Sequence, residues 1–155
     1  MVAQRAAVWS ALITVLAVSA GFGSATAGAA ELSDYRWERR PLLVFAPADS
    51  DPRVVEMLSR IEASRCEFVD RDMVTGLLVT AGTSTLDGHV VGAEESARLR
   101  DRYAVGESDF TVLLIGKDGG EKLRVNQVPD LGLVYSVIDG MPMRGREMAA
   151  DPSRC

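Results

Sequence analysis

The sequence predicts an α/β domain with a central mixed four-stranded sheet flanked by helices. Three observations support this prediction. Two apolar runs of strand length occur at residues 41–46 and 110–115, and a glycine turn joins the second run to an alternating strand. Helical apolar periodicity fills the intervals between the strands. At 155 residues the chain has room for one domain.

The first strand is predicted over residues 41–46 and the first helix over residues 51–65. The segment PLLVFA is continuously apolar, which indicates a strand that is buried on both faces. Asp51 is a suitable N-cap, and Pro52 suits the first helical position. Four apolar residues are expected on or beside the buried face of this helix: Val54, Val55, Leu58 and Ile61.

The middle of the chain predicts a weaker strand, a loop and a second helix. The strand covers residues 73–79, where Thr75 and Gly76 interrupt the pattern. Residues 81–92 form the loop, with a turn at Asp87-Gly88. Residues 93–103 form the helix. Its inward side is expected to carry Ala93, Ala97 and Leu99, and its outward side Arg98, Arg100, Asp101 and Arg102.

Residues 110–125 predict a β-hairpin. The run FTVLLI fits a central strand with both faces covered. The turn Asp118-Gly119-Gly120 supplies residues that tolerate positive φ. The following KLRV segment alternates, which indicates an edge strand, and its two cations disfavour pairing with the edge of another molecule.

The chain ends with a third helix over residues 129–139, stopped by Gly140, and a further helical turn within residues 141–148. The resulting order of βαβ unit, helix, hairpin and helix is the plan of the thioredoxin-like fold. In that fold the first and third strands are central, and the two most apolar runs fall at those positions. The third helix is expected to bury one apolar stripe: Leu131, Val134, Tyr135 and Ile138.

Residues 1–29 are predicted to be a secretory signal peptide, which leaves residues 30–155 as the single domain. Arg5 gives a positive n-region, residues 6–20 give an apolar h-region, and small residues with A-x-A spacing predict cleavage within residues 27–30. The h-region is shorter than the ~20 residues of a membrane span, and an uncleaved anchor is the alternative. We expect a periplasmic or secreted protein without stable membrane insertion after cleavage.

The charge of the chain disfavours two classes of partner. The sequence has 17 basic and 22 acidic residues, and loss of the signal removes only Arg5. Nucleic acid and anionic membrane surfaces both require a basic face. The expected partner is therefore an unidentified protein or small molecule.

The residues that thioredoxin-like redox chemistry requires are missing. A thiolate belongs at the start of the first helix, where residues 46–52 read APADSDP and contain no cysteine. A cis-proline belongs before the third strand, where residues 107–109 read ESD. Thiol–disulfide exchange at the usual site is therefore not expected.

Two cysteines, Cys66 and Cys155, lie elsewhere in the chain. In an oxidising compartment they could form a bridge, which would add ~4 kcal/mol of stability on the chain-entropy model. The alternative is a buried Cys66 and a free Cys155 thiol. A divergent redox enzyme that uses Cys66, alone or with Cys155, is the second candidate function.

No spacing of residues predicts a cofactor or a conventional metal site. His89 is the only histidine, and its glycine-rich loop predicts an exposed residue. Met141, Met143 and Met148 could present thioethers to Cu(I), whereas core packing is the ordinary role of such methionines. No catalytic residue is predicted.

Four segments resemble those of a bacterial family of small exported proteins, the domain of unknown function 4174. They are RPLLVFAP at 40–47, RDMV at 71–74, FTVLLIGKDGGEKLR at 110–124 and IDGMPMRGREM at 138–148. Related domains occur in secreted animal proteins of the sushi-repeat type. The resemblance implies a thioredoxin-like fold and export, and it carries no established activity.

We therefore expect an exported binding or interaction module without redox chemistry. Five polar residues match the family's motifs and are the candidate site residues: Lys117, Asp118, Arg124, Asp139 and Arg144.

Overall fold

The computed structural model describes residues 29–152 and residue 155. Most of the predicted signal peptide, up to residue 28, lies outside the described residues. The strands are β1 (Arg40–Ala48), β2 (Met73–Ala81), β3 (Thr85–Leu86), β4 (His89–Val90), β5 (Thr111–Ile115) and β6 (Glu121–Val125). The helices are α1 (Pro52–Ala63), α2 (Arg65–Asp70), α3 (Ala93–Tyr103), α4 (Leu131–Asp139) and α5 (Pro142–Ala150), after a short 3-10 helix (Leu32–Tyr35).

The strands form one mixed sheet in the order β4-β3-β2-β1-β5-β6. Strand β1 pairs in parallel with β2 and antiparallel with β5, and β5 pairs antiparallel with β6. These four strands are the predicted sheet. Two short strands extend it to six, because the segment predicted as a loop at residues 81–92 forms a small hairpin with Asp87 and Gly88 at positive φ.

The core lies on both faces of β1 and β5, as predicted for central strands. Alternate residues of β1 point to opposite faces, so Leu42 and Val44 pack under α1 and α4 while Leu43 and Phe45 pack under α3 and the 3-10 helix. All of these side chains are at most 1% exposed. Gly76 in β2 lets Leu43 approach closely, since a Cβ there would lie 2.6 Å from Leu43 Cδ2.

The first predicted helix corresponds to α1, and α2, which follows it directly, was not predicted. The Asp51 side chain accepts a hydrogen bond from the Arg53 N–H, which confirms the predicted cap. The predicted inward position of Leu58 is wrong: it is 41% exposed, and Met57 is buried instead. Met57 and Leu58 follow Val54 by three and four residues, and both positions lie near Val54 on the helix surface. The spacing of the sequence alone therefore did not show which of the two is buried. Val55, expected beside the buried face, is also exposed.

Helix α3 has the predicted bounds, but its orientation differs from the prediction. Ala93 and Ala97 are exposed, whereas Arg100 is buried together with Leu99. The prediction treated every arginine on this helix as solvent-facing, and it could not anticipate the carbonyl groups that accept hydrogen bonds from Arg100. The long arginine side chain turns inward because its donors find acceptors there.

The C-terminal half follows the predicted order. Strand β5 is buried throughout, and Gly119 supplies positive φ at the hairpin turn, whereas Gly120 does not. Helix α5 is nine residues long, so it exceeds the single turn that was predicted. Helix α4 buries the whole predicted stripe: Leu131, Val134, Tyr135 and Ile138.

Candidate functional site

The carboxyl end of β1, where thioredoxin-like redox chemistry would lie, carries a buried arginine instead of a thiol. Arg100 Nη2 donates to the carbonyl oxygens of Ala46 and Leu78, both at 2.9 Å. Arg100 Nη1 donates to the Gly106 carbonyl at 2.9 Å. Burial lowers the pKa of the Arg100 guanidinium, and the nearby carboxylates of Glu107 and Asp109 act in the opposite direction. The guanidinium thus occupies the space at the carboxyl end of β1 and links β1, β2 and the segment before β5.

The segment before β5 lacks the groove-forming proline, as the sequence indicated. No peptide bond within the described residues is cis. Asp109 accepts a hydrogen bond from the Gly106 N–H at 2.9 Å, and the Glu107 carbonyl accepts one from the Thr80 hydroxyl at 2.8 Å. This segment is held by its own polar contacts.

At the opposite end of the sheet, four charged side chains form one ion network. Arg40 is 1% exposed and makes a two-point contact with Glu147, at 2.9 and 3.1 Å. Lys117 is also buried, and its Nζ lies 2.8 Å from Glu147 Oε1 and 2.7 Å from Asp72 Oδ2. The network therefore joins β1, the turn after β5 and helix α5, with each buried cation facing a carboxylate.

A second group of charges adjoins this network and holds α2, α4 and α5 together. Arg144 is 3% exposed and pairs with the carboxylate of Asp70, and its Nη1 donates to the Asp70 carbonyl at 2.7 Å. Arg71 makes a two-point contact with Asp139, at 2.9 and 2.8 Å. Arg144 Nε lies 3.5 Å from Asp139 and Arg144 Nη1 lies 4.0 Å from Glu147, which connects the two groups.

Three of the five candidate residues, Lys117, Asp139 and Arg144, thus belong to one cluster. Asp118 instead receives the Lys122 ammonium at 2.7 Å and the Gly120 N–H at 3.0 Å. These hydrogen bonds, that of Lys122 first, lower the pKa of Asp118. Asp118 organises the hairpin turn.

Arg124 lies outside the cluster, on the edge strand β6. It contacts Glu121 through two nitrogens, at 2.9 and 2.8 Å, and it donates to the Tyr103 carbonyl at 2.9 Å. The hydrogen bond from Arg124 lowers the pKa of Glu121. Arg124 therefore ties β6 to the end of α3.

Sequence reasoning missed several members of the cluster: Arg40, Asp70, Arg71, Asp72 and Glu147. For all of these except Asp70, the signal that could have found them was the set of four resembling segments. Each segment contributes a charged residue to the cluster, Arg40 from the first, Arg71 from the second, Lys117 from the third and Arg144 from the fourth. The segments are distant in the chain and meet only in the folded protein.

The two cysteines are joined in a disulfide beside this cluster. Cys66 and Cys155 are bonded across 89 residues of sequence, with their Cα atoms 5.8 Å apart. Cys66 follows the twelve-residue helix α1, which carries the chain ~18 Å away from the carboxyl end of β1. The disulfide therefore lies far from the position where this fold carries its thiol chemistry.

The disulfide lines a cavity of about 720 Å³ between α2 and α5, which we call the α2–α5 groove. A second cavity of about 410 Å³, the α2–β2 groove, lies between α2, the start of β2 and the Asp87-Gly88 turn. Three residues line both: Arg39, Arg65 and Val69. The remaining residues of the α2–α5 groove are Cys66, Asp70, Asp72, Arg144, Glu147, Ala150, Asp151 and Cys155.

The other residues considered as metal ligands lie apart from the grooves. His89 is exposed in β4. Met141 packs against the core, and with Met143 it lines a small cavity beside Lys117, whereas Met148 is 37% exposed. Among residues 29–152 and 155, no three His, Cys, Asp or Glu side chains are grouped as metal ligands.

No helix in the described part of the chain is long and apolar enough to cross a bilayer. The predicted h-region lies outside that part.

Solved structures with a similar fold include peroxiredoxins. Reduced 2-Cys peroxiredoxin from Plasmodium vivax superposes with a TM-score of 0.53 at 13% identity, covering 74% of this chain and 84% of that one. Thioredoxin peroxidase I from Plasmodium yoelii gives a TM-score of 0.50 at 17% identity, covering 80% and 82%. The fold is therefore thioredoxin-like, as predicted.

The model of the family described as domain of unknown function (DUF4174) matches residues 31–147 of this chain. The chain therefore belongs to this family. A curated relative is coiled-coil domain-containing protein 80 of Danio rerio, 25% identical over 138 residues. The match covers 79% of this chain and only 16% of the relative.

Proposed function

We propose that this protein is an exported thioredoxin-like binding domain without thiol redox chemistry, and that it holds a protein or small-molecule partner in the α2–α5 groove. The observation that carries the proposal is the composition of the carboxyl end of β1. Arg100 fills that end and donates to Ala46, while both cysteines are bonded to each other beside α2. A thiolate nucleophile is not available at the position that the fold uses.

The groove supports the binding role because it combines features of a recognition site. It is concave, it contains the exposed apolar side chain of Val69, and charged groups surround it. The ion pairs of Arg40 and Arg144 hold α5 as its wall. Export is supported by the disulfide, since such bonds persist in oxidising compartments.

The test of the proposal is turnover by the purified protein in insulin-reduction and peroxide-consumption assays. We expect rates equal to those of a variant that carries Cys66→Ser and Cys155→Ser together. Turnover that the wild type retains and this variant loses would overturn the proposal.

The second candidate function, a divergent redox enzyme using Cys66, is favoured by one observation. Both cysteines are exposed and line the α2–α5 groove, so a substrate there could reach the disulfide. It requires Cys66-dependent turnover in the same assays, which makes the two functions mutually exclusive in one experiment. Fractionation of cells, with an intact mass that reports cleavage within residues 27–30, tests periplasmic or secreted localisation.

A further inference from the structure

We infer that the α2–α5 and α2–β2 grooves form one docking track for an extended acidic peptide, whose carboxylates pair with Arg39 and Arg65 beside an aliphatic side chain on Val69. The inference rests on the proposed binding function and adds the site and the class of ligand. Its starting point is that these three residues line both cavities, so they form the boundary common to the two grooves.

The two arginines are available to a ligand. Arg65 is exposed and has no hydrogen bond or ion pair with any described residue. The Arg39 side chain is 46% exposed, and its nearest carboxylate oxygen, on Asp72, lies 3.9 Å away, beyond hydrogen-bond distance. Two other exposed arginines of this half of the chain are already engaged, in the 2.6 Å contacts of Arg53 with Asp51 and of Arg60 with Glu56.

The carboxylates at the centre of the α2–α5 groove already have cationic partners. Asp72 accepts from Lys117, Glu147 accepts from Arg40 and Lys117, and Asp70 pairs with Arg144. Their charge is balanced within the cluster, so Arg39 and Arg65 add positive charge where the two grooves meet, whereas Asp151, just after α5, adds a carboxylate to the α2–α5 groove. Asp87 lies at the far end of the α2–β2 groove, where it favours a neutral or basic residue of the peptide.

The apolar part of the track selects a neighbouring residue. Val69 is 50% exposed, and the disulfide and Ala150 continue the apolar surface in the α2–α5 groove. In an extended peptide, alternate side chains point to the same face, so positions i, i+2 and i+4 meet the track. In a peptide with a glutamate two residues from a leucine, the carboxylate can pair with Arg39 or Arg65 while the leucine side chain contacts Val69.

A peptide fits these observations better than an anionic polymer or a membrane. Nucleic acid, polysaccharide and lipid surfaces require a broad basic face, whereas this chain has a formal charge of −5. Two arginines in a concave track match one or two carboxylates at short range. This protein carries a net negative charge, so it does not attract an acidic peptide over long distances. Specificity therefore comes from short-range pairing between the peptide carboxylates and the two arginines.

The probe is the peptide acetyl-Glu-Ser-Leu-Ser-Glu-amide, compared by calorimetry with the same peptide carrying glutamine in place of glutamate. We expect the glutamate peptide to bind at least ~10-fold more tightly, since each charge-assisted hydrogen bond contributes about that factor. Arg39→Gln and Arg65→Gln should each weaken binding by roughly tenfold and reduce the discrimination between the two peptides. Val69→Ser should weaken both peptides equally.

The matched control is Arg146→Gln, because Arg146 is an exposed arginine on α5 that lines neither groove. It should leave both affinities unchanged, and the thermal unfolding of all four variants should match the wild type because the substituted side chains are exposed. Equal binding of the glutamate peptide by wild type, Arg39→Gln and Arg65→Gln would overturn the inference. Absence of binding by the wild type would do the same.

Two further ligands separate the inference from its competitors. Arginine-dependent binding of a heparin oligosaccharide or of phosphatidylserine vesicles, tighter than that of the peptide, would assign the track to another class of partner and overturn it. The redox assays are independent of the peptide-binding test, because none of the substitutions in the track replaces a cysteine. Failure of the peptide with no turnover rejects only the ligand class, whereas Cys66-dependent turnover rejects the proposed function itself.

Discussion

Arg40 and Glu147 are 107 residues apart in sequence and meet in a two-point ion pair, with nitrogen–oxygen distances of 2.9 and 3.1 Å. The pair joins the first residue of the central strand to the last helix. Because Arg40 is almost fully buried, Glu147 compensates the cost of burying its charge, and the position of α5 depends on the pair.

Glu147→Gln should destabilise the protein by about 3 kcal/mol, because it leaves buried cations on Arg40 and Lys117 without their shared carboxylate. The measurement is the free energy of unfolding from urea titration at neutral pH. Glu62→Gln on the exposed side of α1 is the control and should change stability by less than ~0.5 kcal/mol. If the two variants are equally stable, the ion pair does not support the fold.

Acid should weaken the protein partly through Glu147. Partial burial raises the pKa of Glu147, but hydrogen bonds from Arg40 and Lys117 outweigh it, so the pKa lies below its usual value of 4.5. A carboxyl with a lowered pKa in the folded state contributes stability above pH 4.5, and this contribution is lost as the pH falls through the folded value.

We therefore expect the free energy of unfolding to fall between about pH 5 and pH 3, and to fall less steeply in Glu147→Gln. Urea titrations across this range measure both slopes. Asp51, Asp118 and Glu121 also have lowered pKa values and affect wild type and variant alike, so the difference between the slopes isolates Glu147. Identical slopes would contradict the assignment.

Reduction of the Cys66–Cys155 bond should lower stability by ~4 kcal/mol on the chain-entropy model, since the bond closes a loop of 89 residues. The measurement is urea unfolding with and without reductant. The variant with both cysteines changed to serine is the control, because reductant should not affect it. Intact mass after alkylation without reduction should show no added label, and two labels would contradict the bridge.

Arg100→Met should destabilise the protein by roughly 2–4 kcal/mol, because it removes the charge-assisted hydrogen bonds that Arg100 donates to the carbonyl groups of Ala46 and Leu78. The apolar part of the side chain is kept, so the loss reports the hydrogen bonds. Arg98→Met is the control on the same helix, where the side chain is 65% exposed. Equal stability of the two variants in urea would show that Arg100 is not needed to close this end of the sheet.

Much of the fold could be predicted from local pattern. The two continuous apolar runs identified the central strands, because strands buried on both faces lack alternation. Capping chemistry located Asp51, and the stripe of α4 was complete in its periodicity. The small β3–β4 hairpin was missed because strands of two residues are too short to show a period.

The candidate site was only partly predictable. Lys117, Asp139 and Arg144 were named because they match family motifs, but their partners Asp72 and Glu147 were not. When one helix or strand is considered alone, its charged side chains are predicted to face solvent. Only the packing of a second element against it shows that a charged side chain is buried. The predicted outward position of Arg100 was wrong for the same reason.

The sequence by itself determined the order of the elements, the two central strands and the missing thiol at the start of the first helix. These features depend on local periodicity, capping and the identity of single residues. Tertiary structure decided where the four resembling segments meet, which cysteine partners are within bonding distance, and that α2 borders two grooves. Those relationships join residues up to 107 positions apart, and such contacts exist only once burial of the core has placed α2 and α5 at the same end of the sheet.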